Sequence, residues 1–270
     1  MASERKMRDG RTLIVHDSGH GDRLTLVWHH GTPQTGALLE PLVRHAAERG
    51  IRVISYGRPS YGGSTPHRGR AVIDAGYDVE ELAQQLGLSR FATMGASGGG
   101  PHALATAAQL PDRVSAVVAL SSPAPLTRRF DWFAGMVAPE ALRAAAMGRE
   151  ARASLQDEFN PDAFTAADWE ALEARWKALG EDAGRAGAEG DEGAIDDDLA
   201  FTSPWGFDVE QVRQPVLLVH GGQDRVIPLS HSEHLLARLP RAELWLRPND
   251  GHVSILDAIP VALDWLLQIR

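Results

Sequence analysis

The chain has 270 residues, enough to bury a large core in one domain or in one domain carrying a sizeable insertion. Its formal net charge of −9 argues against a nucleic-acid partner, because phosphate binding needs a basic face. It contains no cysteine, which excludes disulfides, thiolate catalysis and Cys-ligated zinc.

The N-terminal stretch Met1–Gly10 is polar and lacks the apolar core of a signal peptide. No apolar run approaches the roughly 20 residues that a transmembrane helix needs. The expectation is a cytoplasmic protein with a small-molecule substrate, no membrane or nucleic-acid partner, and a monomeric or homodimeric state.

Thr12–Asp17 and Arg23–His29 are short apolar runs separated by Gly19 and Gly21, a pattern that predicts an antiparallel hairpin. Ala37–Arg49 has helical spacing and ends at Gly50, a suitable C-cap. Arg52–Tyr56 reads as a buried strand, Val79–Leu86 as a helix, and Arg90–Met94 as a second buried strand. A helix from Pro101 to Gln109 and the apolar strand Val114–Leu120 follow. Strands without polar alternation are covered on both faces, as in a parallel sheet flanked by helices.

From Leu126 to about Trp205 there is no strand candidate. Helical patterns cover Trp132–Arg149, Arg152–Phe159 and Ala166–Leu179, and the acidic, Gly-rich stretch Glu181–Asp198 reads as a solvated loop. Strand rhythm resumes at Pro215–His220 and Ala242–Leu246, with helices at Ser230–Leu239 and near Ile255–Gln268. One α/β core is thus interrupted by a helical insertion of about 80 residues.

Gly95-Ala96-Ser97-Gly98-Gly99 fits Gly-x-Ser-x-Gly between a strand and a helix. A nucleophile in so tight a turn is backbone-strained, and side chains two positions to either side would collide. A phosphate loop fits poorly, since both the P-loop Lys and the Gly-x-Gly-x-x-Gly spacing are missing. His30-Gly31-Thr32-Pro33 follows an early strand, where a backbone N–H of Thr32 can join that of Gly98 in holding an oxyanion. Val216–Val219 runs into His220-Gly221-Gly222-Gln223-Asp224 and places a carboxylate at a strand's C-terminal end. His252 follows the last strand candidate and can act as general base and acid, oriented by Asp224. Asp250 is the rival for the acid, although its turn position suits a local cap.

With its Ser, Asp, His order, the sequence resembles the α/β-hydrolase superfamily over nearly its whole length. Tyr56–Ser64 is similar to the family's loop after the fourth strand, with altered spacing. The resemblance implies a mostly parallel eight-stranded sheet flanked by helices, with a helical cap entering after strand six. The core would then comprise residues 1–126 and 207–270, and the cap residues 127–206. It also implies Ser97, Asp224 and His252 as a catalytic triad and Thr32 and Gly98 as the oxyanion hole, with no metal and no cofactor. A Ser nucleophile argues against the dehalogenase and epoxide hydrolase branches, which use Asp there. The cap region is rich in aromatics, and Trp132, Phe133, Trp205 and the neighbouring His102 are candidates for substrate binding.

The activity expected is hydrolysis of an ester, thioester or lactone through an acyl-enzyme. One alternative is an aminopeptidase or amidase of the proline iminopeptidase type, with Asp157 or Glu158 binding a substrate amine. Another is a non-hydrolytic enzyme or a ligand receptor on the same fold.

Overall fold

In the computed structural model, which describes residues 2–19, 21–128, 130–156 and 159–269, eight strands form one sheet. They are β1 (Ala2–Lys6), β2 (Thr12–Asp17), β3 (Leu24–His29), β4 (Ile51–Tyr56), β5 (Phe91–Ala96), β6 (Val114–Leu120), β7 (Val216–Gly221) and β8 (Ala242–Arg247). Their spatial order is β1-β2-β4-β3-β5-β6-β7-β8. β1 and β2 pair antiparallel to their neighbours, whereas every pair from β4 to β8 is parallel.

Successive residues of a strand point to opposite faces, so each buried parallel strand feeds two cores. Val27, Ile54, Val117, Ala119, Val216 and Leu218 pack beneath helices α2 (Asp74–Gln85), α3 (Gly99–Gln109) and α9 (Ser230–Leu236). Leu26, Trp28, Val53, Met94, Val118, Leu217 and Val219 pack against α1 (Glu40–Ala47) and α10 (Ile259–Gln268) on the other face.

Two details of the sheet differ from the sequence expectation. The runs predicted as a hairpin are not partners, because β4 lies between β2 and β3. The connecting segment crosses the start of β4 so closely that a Cβ at Gly21 would lie 2.2 Å from the Arg52 backbone nitrogen. β3 is buried over Leu26–His29 and takes a parallel neighbour on each side, a demand that overrides the local turn signal. The second detail is β1, a polar edge strand with no apolar alternation, held through its ladder to β2.

Between β6 and β7 the described residues form helices and turns: α4 (Glu140–Met147), α5 (Arg149–Ser154), α6 (Ala166–Glu173), α7 (Lys177–Ala188) and α8 (Glu192–Thr202). Glu181–Asp198, expected as a solvated loop, is largely α7 and α8. The helix expected over Trp132–Arg149 starts only at Glu140, and Gly148 (φ +118°) separates α4 from α5. At the end of the acidic stretch, three successive carboxylates meet arginines remote in sequence. Asp196 pairs with Arg149, Asp197 with Arg58 and Arg70, and Asp198 with Arg152.

Asp197 is fully buried. Burial alone would raise its carboxyl, but the Arg58 and Arg70 charges outweigh that and hold it well below the usual carboxylate range. Removing one member of a buried pair leaves the other charges uncompensated, at a cost of about 3–5 kcal/mol. We expect Asp197→Asn to lower stability by that order in urea unfolding at neutral pH. A depressed carboxyl stabilises the fold above its unfolded value of about 4 and loses that contribution as pH falls further. The gap between wild type and variant should therefore narrow below about pH 4.

Candidate active site

The chain runs from β3 outward to β4 on one side, and then to β5 on the other side of β3. Segments leaving β3 and β5 therefore meet where the strand order reverses, outside the carboxyl ends of the strands. His29 is in register with Gly95, so the 30–33 loop and the turn at Ser97 are neighbours.

Ser97 lies between β5 and α3 with φ +52°, a left-handed conformation that L-residues rarely adopt. Its N–H donates to the Leu120 carbonyl at 2.8 Å. A Cβ at Gly95 would sit 2.1 Å from the Gly99 carbonyl oxygen, and one at Gly99 would sit 2.0 Å from that of His29. Strand, turn and helix are so close that only glycine fits at either position.

The loops after β7 and β8 bring two more side chains to this edge. Asp224 accepts the N–H groups of Val226 and Ile227 through Oδ1, both at 2.9 Å. Its Oδ2 is 2.8 Å from His252 Nδ1, and His252 Nε2 is 2.9 Å from Ser97 Oγ. A carboxylate can only accept, so Nδ1 carries the hydrogen and the Nε2 lone pair faces the serine hydroxyl. Asp250 instead accepts from Arg247 Nε within its own turn. His220 lies beneath Asp224, with Nε2 donating to the Ile227 carbonyl at 2.8 Å and Nδ1 facing Ser232 Oγ at 2.7 Å.

The opposite wall is made by Gly31, Thr32 and Gly98. A Cβ at Gly31 would lie 3.7 Å from Ser97 Cβ, and one at Gly98 would meet Thr32 Oγ1 at 2.4 Å and Phe201 Cζ at 2.9 Å. Gly98 is the N-cap of α3, where backbone N–H groups lack intrahelical acceptors. The Thr32–Pro33 peptide is cis. Thr32 Oγ1 donates to Asp197 at 2.5 Å, while Arg58 bonds the His30 and Gly31 carbonyls and Asp197. Phe201 and Asp197, both on α8, thus border this wall. Neither stands out in the sequence: Asp197 falls in the acidic stretch that reads as loop, and Phe201 falls just beyond it, outside any predicted helix.

The residues expected to bind substrate have other identifiable contacts. Trp132 and Trp205 are buried and donate their indole N–H to the carbonyls of Ala124 and Phe201. Phe133 lies under the Arg143 guanidinium, 4.3 Å from ring centroid to Cζ. His102 is buried with Nδ1 2.7 Å from the Gly98 carbonyl, and it meets the Phe201 ring edge-on. Asp157 and Glu158 lie outside the described residues. Among the described residues, no group of three or more His, Cys, Asp or Glu is arranged to hold a metal ion. No helix among them is long and apolar enough to cross a membrane.

Residues 25–259 match the alpha/beta hydrolase fold family. This chain belongs to that family. As an α/β-hydrolase it is an enzyme, and its strand order and helical layers are those of the fold just described. It is 28% identical to the pimeloyl-[acyl-carrier protein] methyl ester esterase of Nitrosomonas europaea, over 91% of this chain and 94% of the relative. Among solved structures it resembles a thermophilic esterase from Thermogutta terrifontis, with TM-score 0.74 and 19% identity over 100% of this chain and 99% of that one. It is likewise similar to the enol-lactonase of Burkholderia xenovorans, with TM-score 0.75 and 18% identity over 99% of each chain. At such identities these two structures speak to the fold.

The electrostatics around His252 give a measurable expectation. Burial would lower its pKa, but the Asp224 charge and hydrogen bond outweigh burial and raise it above the ordinary histidine value. Buried His29 has no such partner, and burial followed by the Arg58 charge pushes it down to about 3. In an NMR titration of the imidazoles, His252 should protonate at a pH above the usual histidine midpoint while His29 remains neutral throughout the range near neutrality. A His252 midpoint below the ordinary value would contradict the coupling to Asp224.

Proposed function

We propose that the chain is a serine hydrolase that cleaves an ester, thioester or lactone through an acyl-enzyme on Ser97. One observation carries the reading, the unbroken relay from Ser97 Oγ through His252 (2.9 Å) to Asp224 (2.8 Å). His252 Nε2 takes the hydroxyl proton as Oγ attacks the carbonyl carbon, and Asp224 stabilises the imidazolium that forms. The backbone N–H groups of Gly98 and Thr32 hold the oxyanion of the tetrahedral intermediate. As that intermediate collapses, the imidazolium returns its proton to the leaving oxygen or sulfur. Water activated by the same imidazole then releases the acid and regenerates Ser97.

The core comprises residues 1–126 and 207–270, and residues 127–206 form a cap above the nucleophile. Phe201 supplies an apolar contact beside Gly98. Asp196, Asp197 and Asp198 each bind an arginine of this chain, so none of the three is offered to a substrate amine. The esterase name of the Nitrosomonas europaea relative supports ester hydrolysis.

A fluorophosphonate probe should form a stoichiometric adduct on Ser97, located by mass spectrometry and lost in Ser97→Ala. Aryl-ester hydrolysis undiminished in Ser97→Ala would overturn the assignment. Asp224→Asn and His252→Ala should each lower kcat by at least about 10³. Asp250→Asn should do much less, and a larger loss in Asp250→Asn than in Asp224→Asn would move the acid to position 250.

A further inference from the structure

We infer that Asp168, on the helical insertion, is a positioning residue for His252, fixing the backbone of the turn that presents the imidazole. The inference rests on the reading of His252 as the general base. Asp168 sits in the first turn of α6 and is fully buried. Through Oδ2 it accepts the N–H and hydroxyl of Thr165, both at 2.9 Å, which completes a capping box for α6.

Capping accounts for only part of what the carboxylate does. Oδ1 accepts the N–H groups of Val253 and Ser254, each at 2.8 Å, and the Ser254 hydroxyl at 2.9 Å. Oδ2 also accepts the His252 N–H at 3.2 Å. Three successive backbone donors of the 252–254 turn therefore converge on one side chain 84 to 86 positions away. None of these three is required to begin α6. Ser254 closes the arrangement by accepting the Gly251 N–H at 2.8 Å.

Gly251 gives an independent sign of how closely the turn is seated. A Cβ there would lie 2.0 Å from Asp168 Oδ2, so the backbone rests directly on the carboxylate. A displacement of about 1 Å in a catalytic group can cost on the order of a hundredfold in rate. The oxygens holding the 252–254 backbone thus bear on the distance from Nε2 to Ser97 Oγ.

The carboxylate also contributes charge. Burial would raise its pKa, but the N–H and hydroxyl donors of Ser254 and Thr165 outweigh burial and keep it ionised at neutral pH. The groups facing His252 are Asp224 from the loop after β7 and Asp168 from α6, with His220 of β7 behind Asp224. Both carboxylates favour the imidazolium, Asp224 more strongly. Removing the Asp168 charge should let His252 deprotonate at lower pH, moving the acid limb of kcat/KM downward.

The test uses the full chain as wild type, Asp168→Asn, Ser254→Ala, Ser97→Ala and His252→Ala. The imidazole of His252 is assigned by the NMR signal that His252→Ala loses. In Asp168→Asn its titration midpoint should shift downward. With p-nitrophenyl acetate, kcat should fall about tenfold to a hundredfold with KM within about twofold, and the acid limb should follow the NMR midpoint. Ser254→Ala keeps the charge and removes the bridging hydroxyl, so it should lower kcat by about threefold to tenfold without moving the midpoint. An unmoved midpoint in folded Asp168→Asn, or a rate loss matched by the fraction unfolded with an unchanged pH profile, would overturn the inference. If Asp168→Asn does not fold, undiminished kcat in Ser254→Ala overturns it instead. Hydrolysis by wild type that survives in Ser97→Ala would sink the serine hydrolase reading, while the NMR midpoint would still report on Asp168.

Discussion

Ser97 is held at φ +52°, in a turn that leaves no room for a side chain at Gly95 or Gly99. A residue in that region of backbone space costs roughly 1–3 kcal/mol and persists only where its surroundings over-determine it. Here β3, β5 and β6 do so. The Ser97 N–H is fixed to the end of β6, and the glycines let α3 start against the last carbonyls of β3. The same crowding brings the 30–33 loop against Gly98, so the Ser97 turn and the wall opposite it arise from one packing constraint. The remaining two groups need only reach that edge, which loops after parallel strands do without further distortion.

The helical insertion is tied to the core through buried charge as well as apolar contact. Asp197 bonds Arg58, Arg70 and the Thr32 hydroxyl, and Asp168 bonds the turn carrying His252. One carboxylate thus touches each side of the candidate site. Buried charges add little net stability, because desolvation offsets much of their attraction. Their direction and geometry, however, tie loop positions to helices that an apolar contact would leave free to slide. Thr32 and His252 are anchored to the same insertion through α8 and α6, at positions remote in sequence.

Much of the architecture was legible from residue order. Buried strands without polar alternation, the Gly-x-Ser-x-Gly turn and the Ser, Asp, His sequence carry local signals that need no knowledge of the partner. The strand pairing of Thr12–His29 was not legible, since two apolar runs around a Gly-containing linker look alike whether they pair or straddle a third strand. The edge strand Ala2–Lys6 was invisible because a ladder of backbone hydrogen bonds leaves no mark on side-chain pattern. Asp224 and Asp250 were both available as the acid, and only the loop geometry put one against His252 and the other against Arg247.

Around Ser97, the strand before and the helix after follow from local sequence alone, because the steric exclusion that demands glycine acts within five residues. Tertiary structure decided the acidic stretch 181–198. Read alone, so many carboxylates repel and solvate. With Arg58, Arg70, Arg149 and Arg152 folded against Asp196, Asp197 and Asp198, the end of the stretch becomes part of α8, which borders the site. Asp168 differs in the same way. Its capping box with Thr165 is local, but the three N–H groups that it gathers from 252–254 exist only once α6 packs on the turn after β8. Charge and hydrogen-bond complementarity between distant segments has no sequence period, and so only the folded chain reveals it.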